Sequence, residues 1–325
     1  MPGQPKNRQM DYLSVEHFLQ EQLSQWPEAR KRFEGLEEVM TRSIDLGQGE
    51  NLVLQLNPQR IRSSAAATDA PSIARRACFL CPEQRPPEQL IWPFGSDYHI
   101  LVNPFPIFPQ HLTIVSKAHV PQRLAGRIGD MLHLAQHLKG TTVFYNGAKC
   151  GASAPDHFHF QAGSSDLMPL EEEWRHHRHE TLWEQEVLLI QASASTQRHY
   201  LMLEDNDSER LEQVLQSILE QLQKLQEEKE EARINLLARH QGSHWRLFLF
   251  PRGAHRPRQY ALKGKEHLLL SPASVDFGGL FICARVEDYD KLDAPQLRDV
   301  LSQCTLPAGQ WQKFKEKLSA YFSKL

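Results

Sequence analysis

Apolar residues recur along this chain with two different spacings. Strand-like alternation occurs at residues 41–46 and 52–56, and the Gly47-Gln48-Gly49 segment between them predicts a hairpin turn. Further strands are predicted at residues 187–191, 200–203, 244–250, 268–276 and 278–282. Spacing typical of helices covers residues 12–34, 121–138, 205–239 and 296–325. The pattern predicts a mixture of strands and helices, and composition shifts near Trp183, where a boundary between two units is expected.

One stretch, residues 145–163, combines glycines with alternating polar and aromatic side chains. A strand projects successive side chains to opposite faces, so His157, His159 and Gln161 share one face while two phenylalanines pack on the other. The preceding glycines, small residues and proline suit a tight turn whose backbone N–H groups face outward, as an anion requires. The pattern predicts a phosphate-binding turn followed by a nucleophile. The alternative is an amphipathic edge strand whose histidines face water.

A Cys-x-x-Cys pair, Cys78 and Cys81, precedes this stretch. Two thiolates at this spacing can face one ion, and a structural zinc requires four thiolate or imidazole ligands. A redox pair is the alternative, but no thioredoxin-like pattern surrounds the cysteines. His157 is the natural third ligand, and His111 and His119 are both candidates for the fourth.

The His-x-His-x-Gln sequence at residues 157–161, the glycine-rich lead-in and the Cys-x-x-Cys pair resemble the histidine-triad (HIT-like) superfamily. The resemblance is to its branch of uridylyltransferases and of nucleoside-diphosphate-sugar and diadenosine tetraphosphate phosphorylases. Hydrolases of the superfamily carry a further histidine where Gln161 stands. The resemblance implies an α+β fold of two HIT-like halves, each an antiparallel sheet with covering helices. Residues 1–183 are expected to form the catalytic half and residues 184–325 a degenerate half.

The resemblance also implies roles for individual residues. His159 is the expected nucleophile, and Gln161 is expected to donate a hydrogen bond to a non-bridging phosphate oxygen. Substrate contacts are expected from Arg60, Ser63, Asn103, His111, Asn146, Gly151, Ala152, Ser153, Arg252 and His255. A structural zinc is expected on Cys78, Cys81, His119 and His157, because His119 matches the zinc histidine of the uridylyltransferases.

For several of these residues a structural role is the alternative. Asn103 suits a ribose hydroxyl or, nearly as well, the cap of a turn. Arg60 and Ser63 lie in one predicted loop, and Arg252 and His255 lie in another. Such loops suit phosphate oxygens or are simply solvated.

In function, the resemblance implies a nucleotidyltransferase or phosphorylase. Its substrate would be a nucleoside-diphosphate sugar or a dinucleoside polyphosphate, the intermediate a covalent nucleotidyl-histidine, and the acceptor phosphate or a sugar phosphate. A HIT-like nucleotide hydrolase and a non-enzymatic nucleotide- or zinc-binding protein are the alternatives.

Composition and net charge limit the partners and the cellular compartment that are expected for this protein. The net charge of −3 over 325 residues gives no basic footprint, so a dedicated nucleic-acid binder is not expected. Five cysteines, an odd number, do not indicate a disulfide framework. The polar N-terminus and the lack of any bilayer-length apolar run predict a soluble cytoplasmic protein without a membrane partner. A homodimer is compatible with the sequence.

Overall fold

The computed structural model describes residues 14–61, 70–195 and 197–324. Its strands are β1 Met40–Gly47, β2 Glu50–Leu56, β3 Trp92–Phe94, β4 Tyr98–Val102, β5 His111–Ser116, β6 Thr141–Asn146, β7 His159–Ser164, β8 His179–Gln185, β9 Leu188–Ser193, β10 Leu201–Asp205, β11 Ile234–Gln241, β12 His244–Pro251 and β13 Leu280–Cys283. Its α-helices are α1 Val15–Gln25, α2 Pro27–Glu34, α3 Ala70–Arg75, α4 Ile128–His137, α5 Leu170–Glu173, α6 Ser208–Gln226, α7 Ser274–Phe277, α8 Val286–Lys291, α9 Ala294–Cys304 and α10 Ala308–Phe322. Within these described ranges, no helix is both long and apolar enough to cross a membrane.

Ten strands form one sheet in the order β3-β4-β5-β7-β6-β11-β12-β10-β9-β8. The neighbouring strands in this sheet run antiparallel. The first five strands in this order come from the N-terminal part of the chain and the last five from the C-terminal part, and they join where β6 pairs with β11. The predicted α+β fold with antiparallel sheets is confirmed. The two expected sheets, however, are the halves of one continuous sheet.

Helices cover one face of the large sheet, where α4 and α6 pack on its strands and α10 packs on α6 and β8. Helix α6 illustrates how the sequence sets these elements. Asp207 accepts hydrogen bonds from two backbone N–H groups of the first turn, and Glu227 ends the helix with a left-handed φ of +54°. The buried stripe between these ends consists of Leu211, Leu215, Ile218 and Leu222.

The other face is covered by the small sheet β1-β2-β13, in which β13 runs parallel to β2. The predicted hairpin is confirmed as β1 and β2, with Gly47 and Gly49 at φ values of +83° and +80° in its turn. Phe144, Phe248 and Phe281 belong to the apolar layer on this side. Because β13 comes from the C-terminal part of the chain, the two parts are interleaved here as well.

Three of the predicted elements are wrong in extent. The helix predicted at 205–239 ends at Gln226, and its last residues form strand β11. The helix predicted at 121–138 begins only at Ile128. No strand forms at 268–276, where Ser274–Phe277 is a short helix. The predicted boundary near Trp183 lies inside β8, which pairs with β9 of the C-terminal strand group.

Candidate active site and metal cluster

His159 is the first residue of β7 and is nearly buried, with 4% of its surface exposed. Its Nδ1 lies 2.9 Å from the carbonyl oxygen of His157. Because a carbonyl only accepts, Nδ1 carries the hydrogen and Nε2 carries the lone pair. Burial lowers the pKa of His159 to about 4, although the hydrogen bond to His157 opposes part of that shift. The imidazole is therefore neutral near pH 7 and carries its lone pair on Nε2.

Gln161 lies two residues further along the same strand, and its side-chain oxygen is held by two donors. Oε1 lies 3.2 Å from His111 Nε2 and 3.4 Å from Asn103 Nδ2. His111 Nδ1 accepts a hydrogen bond from the backbone N–H of Ile107 at 3.1 Å, which places the imidazole hydrogen on Nε2. With its oxygen occupied in this way, Gln161 presents its amide nitrogen as a donor.

His111 and Asn103 thus contact Gln161 directly. His111 is fully buried, and burial together with the nearby charge of Arg60 lowers its pKa to about 3. Asn103 also accepts a hydrogen bond from the backbone N–H of Phe105 at 2.9 Å and donates to Thr113 Oγ1 at 3.1 Å. Asn103 therefore caps a turn and also contacts Gln161.

The glycine-rich turn lies between β6 and β7. Gly151 has a φ of +97°, and a Cβ there would lie 2.7 Å from the Cβ of Ala273, so only glycine fits. Among the described residues, no acceptor is bonded to the backbone N–H groups of Gly151, Ala152 and Ser153. Three consecutive N–H donors of this kind are what an anion-binding turn requires.

Asn146 ends β6 beside this turn. Its Oδ1 accepts hydrogen bonds from Asn235 Nδ2 at 2.7 Å and from the backbone N–H of Ser274 at 2.9 Å. Both donors come from the C-terminal part of the chain, so that part fixes the orientation of Asn146. The sequence analysis missed Asn235, although an amide in the otherwise apolar strand β11 is a signal that could have identified it.

Arg252 does not reach the site as the sequence predicted. Its side chain is fully buried, and its guanidinium donates to the carbonyl oxygens of Cys304 and Pro272, each at 2.9 Å, and to Asn235 Oδ1. The guanidinium also lies over the ring of Phe277 at 4.4 Å. With its donors directed at protein oxygens, Arg252 supports Asn235, and the prediction that it binds phosphate is not supported.

Three predicted substrate contacts remain, and two of them, Arg60 and His255, lie in the described part of the chain. Arg60 donates to the carbonyl oxygen of Phe105 at 2.7 Å, and its charge acts on His111, so it lies close to His111. His255 is partly buried, and burial followed by the charges of Arg256 and Arg252 lowers its pKa to about 4. Ser63, together with Arg62, lies outside the described residues.

The four predicted metal ligands converge on one point. The donor atoms of Cys78, Cys81, His119 and His157 all lie within 4.8 Å of one another. Nδ1 of His157 lies 3.3 Å from Cys78 Sγ and 3.5 Å from Cys81 Sγ, and Nδ1 of His119 lies 3.1 Å from Cys81 Sγ. In a tetrahedral zinc site the sulfur and nitrogen ligands are about 3.5 Å apart, given the usual bond lengths.

The tautomer of His157 also suits a metal. Its Nε2 donates to the carbonyl oxygen of Ser116 at 2.8 Å, which leaves the Nδ1 lone pair directed at the thiols. Both cysteines are free of disulfides. Of the two candidates for the fourth ligand, the cluster contains His119, while His111 binds Gln161.

The two strand groups of the large sheet are related by a pseudo-two-fold axis between β6 and β11. Rotation about an axis at the Phe144↔Leu237 pair brings β6 onto β11. Counted outward through the strand registers, this rotation places β4 on residues 188–192 and β5 on residues 200–205. These ranges match the observed β9 and β10 to within one residue. The same superposition puts Phe248 in the place of Gln161 and Arg246 in the place of His159.

Arg246 cannot supply the lone pair that His159 carries on Nε2. Its Nε donates to Glu204 at 2.7 Å, and a guanidinium stays protonated in proteins and has no lone pair to offer. The C-terminal strand group therefore repeats the strand arrangement of the N-terminal group without counterparts of His159 and Gln161.

Two family models match the sequence. Residues 18–164 match a domain of unknown function (DUF4922), and residues 197–325 match the model described as GDPGP1-like, C-terminal domain. No curated protein matches the sequence significantly.

Solved structures of yeast Ap4A phosphorylase Apa2 are similar to this chain. One structure of the yeast enzyme matches with 16% identity and a TM-score of 0.59, over 86% of this chain and 97% of the yeast chain. Its complex with AMP matches with 18% identity and a TM-score of 0.57, over 89% and 99%. Its complex with Ap4A matches with 17% identity and a TM-score of 0.54, over 86% and 97%. This chain therefore shares the fold of yeast Ap4A phosphorylase Apa2 over most of its length.

Proposed function

We propose that the protein is a nucleotidyltransferase or phosphorylase that forms a covalent nucleotidyl-histidine. Its substrate would be a nucleoside-diphosphate sugar or a dinucleoside polyphosphate. The observation that carries the proposal is the pair of a neutral His159 with a free Nε2 lone pair and a Gln161 that presents its amide nitrogen. The structural likeness to an Ap4A phosphorylase solved with Ap4A supports the substrate class.

In the first step, the Nε2 lone pair of His159 attacks the α-phosphorus of the substrate. The bond from phosphorus to the leaving oxygen breaks, and the sugar 1-phosphate or nucleotide leaves with that electron pair. The positive charge that forms on the imidazole is stabilised at Nδ1–H by the carbonyl of His157, 2.9 Å away. Gln161 donates to a non-bridging oxygen, and the N–H groups of Gly151–Ser153 bind the developing negative charge.

In the second step, an oxygen of phosphate or of a sugar phosphate attacks the same phosphorus. The nitrogen–phosphorus bond breaks, and its electron pair returns to Nε2, which restores the neutral imidazole. Gln161 has no proton to lose near neutral pH, so it does not activate water as a histidine would. Arg60, which stays protonated although burial lowers its pKa to about 10, supplies positive charge beside the catalytic pair.

We further infer that Cys78, Cys81, His119 and His157 hold a structural zinc ion. All four positions would be filled by protein ligands, so the ion would stabilise the local fold without contacting substrate. His157 is both a ligand and the acceptor for His159 Nδ1–H, so the metal site would hold the nucleophile in its orientation.

The C-terminal half would then be non-catalytic. In our proposal it contributes Asn235 and Ser274, which orient Asn146, while Arg246 stands where a nucleophile would be needed. Because β8 pairs with β9, we place the boundary between the halves before His179 instead of after Trp183.

The proposal is tested with a panel of nucleotide sugars and dinucleoside polyphosphates, assayed with and without phosphate or sugar 1-phosphates. A substrate labelled at the α-phosphorus should leave an acid-labile label on the protein, and an added acceptor should discharge it. His159→Asn should fold and bind nucleotide but form no adduct. His133→Asn, a change at an exposed histidine on α4, should behave like the wild type.

Each alternative has its own result. Retained turnover in His159→Asn would contradict the covalent route. Full turnover in water that neither phosphate nor a sugar phosphate accelerates would make the protein a hydrolase. Nucleotide binding without turnover or adduct across the whole panel would make it a non-enzymatic binding protein.

A further inference from the structure

Strands β6 and β7 stop pairing before they reach the nucleophile. Their register runs from Thr141↔Ser164 to Phe144↔Gln161 and ends there. Two residues further along this register, Asn146 and His159 would stand opposite each other, but the strands have separated to admit the glycine-rich turn. The main-chain groups of both residues on this side need other partners, because an unpaired buried backbone group is costly.

The side chain of Gln122 fills this gap. Its Oε1 accepts a hydrogen bond from the backbone N–H of His159 at 2.8 Å. Its Nε2 donates to the carbonyl oxygen of His159 and to that of Asn146, each at 2.9 Å. With 1% of its surface exposed, the amide uses its oxygen and both its hydrogens on backbone groups. Gln122 thus provides His159 with the pair of bonds that a neighbouring strand would make.

The backbone of Gln122 is itself fixed. Its N–H donates to the carbonyl oxygen of Pro155 at 3.1 Å, and the carbonyl of Val120 accepts from the N–H of Phe158 at 2.7 Å. Gln122 also lies three residues after His119 of the Cys2His2 cluster. The amide is therefore anchored to the segment that leads into β7, and it has little freedom to follow a displaced His159.

We propose that Gln122 is a positioning residue that aims His159 Nε2 at the phosphorus by fixing the main chain of His159. This inference rests on the proposed role of His159 as the nucleophile. A displacement of a reacting group by about 1 Å costs about 100-fold in rate. Loss of the clamp should therefore slow adduct formation by about that factor. The substrate concentration at half-saturation should change little, because the amide of Gln122 is buried and uses its oxygen and both hydrogens on backbone groups.

Gln122→Met removes the three bonds with little change in side-chain size. The matched control is Gln22→Met, because Gln22 is also fully buried and clamps a backbone segment, donating to Glu88 O at 2.8 Å and accepting from Leu90 N at 2.7 Å. Both variants should lose thermal stability to a similar extent. Only Gln122→Met should slow single-turnover adduct formation. If the methionine variant fails to fold, Gln122→Glu, which keeps the acceptor for His159 N–H and loses the donors, takes its place.

Amide hydrogen exchange provides a readout that does not depend on turnover. The peptide that contains His159 should exchange faster in the Gln122 variant than in Gln22→Met. An adduct rate and an exchange rate equal to those of the control would overturn the role of Gln122 alone. A wild-type protein that forms no adduct with any substrate would overturn the proposed function, and with it this inference.

Discussion

The orientation of Gln161 gives the sharpest test of the chemistry, and Gln161→Glu is the perturbation. The carboxylate keeps an oxygen where His111 Nε2 and Asn103 Nδ2 donate, so both hydrogen bonds at 3.2 and 3.4 Å persist and the fold should tolerate the change. Its second oxygen replaces the amide nitrogen. One donor to the phosphate is lost, and a negative charge takes its place.

The magnitude follows from these two effects. Removing one preorganised donor to a developing anion costs about 100- to 1,000-fold in rate. Two like charges about 4 Å apart repel by about 4 kcal/mol at an effective dielectric constant of about 20. The rate of adduct formation should therefore fall by about 100- to 1,000-fold in Gln161→Met, which only loses the donor. In Gln161→Glu it should fall by up to about 1,000-fold more, because each 1.36 kcal/mol of repulsion costs about tenfold in rate.

Rapid-quench measurement of label transfer under single-turnover conditions separates this step from product release. Thermal unfolding should show that both variants remain folded. An adduct rate in Gln161→Glu equal to that of the wild type would refute the assignment of the amide nitrogen as the phosphate donor. A faster rate in Gln161→Glu than in Gln161→Met would refute the electrostatic part of the reasoning.

Three further predictions concern metal, water and pH. Purified protein should hold about one zinc per chain by elemental analysis, and Cys81→Ser should lose both zinc and stability, whereas Cys283→Ser, at a buried cysteine outside the cluster, should keep the metal. Gln161→His should raise hydrolysis relative to transfer to phosphate, measured as the product ratio at fixed acceptor concentration; an unchanged ratio would mean that Gln161 does not exclude water. Burial raises the pKa of Glu231 from 4.5 to about 7, so its contribution to stability is present below pH 4.5 and is lost as the pH rises through 7. The unfolding free energy of the wild type, measured in urea, should therefore fall between pH 4.5 and pH 8. Glu231→Gln should make this fall smaller by about 1–3 kcal/mol, whereas the exposed Glu230→Gln should leave it unchanged.

Local sequence patterns predicted the shared face of His159 and Gln161 and part of the Cys/His cluster. Two-residue alternation places His159 and Gln161 on one face of β7, and the Cys-x-x-Cys spacing brings two ligands together before any long-range contact is known. The choice of His119 as the fourth member of the cluster rested on family resemblance, because spacing alone did not distinguish it from His111.

The extent of α6 could not be predicted in the same way. Strand β11, Ile234–Gln241, is buried on both faces along most of its length. Its apolar residues Leu236, Leu237 and Ala238 therefore follow one another without the alternation that would distinguish a strand from a helix. The helix before it ends at Glu227, and no feature of the local sequence predicts the left-handed φ of that residue.

Residues that act through long-range backbone contacts were also missed. Gln122 bonds to His159 across 37 positions, and Asn235 bonds to Asn146 across 89. Neither contact can be predicted from the spacing of residues that are close in sequence. The positions of these amides are determined by the path of the folded chain.

The join between β6 and β11 bears on how this protein can be divided. β6 carries Asn146, and its outer edge is paired with β11 at four positions from Asn146↔Asn235 to Val143↔Ala238. A fragment that ended near residue 178 would expose this edge as a row of unpaired N–H and C=O groups, which is a template for pairing with another chain. Such a fragment should associate with itself or aggregate when expressed alone. Pairing with β11 therefore protects the edge of β6 from self-association, which gives the C-terminal strand group a structural role that is independent of any chemistry.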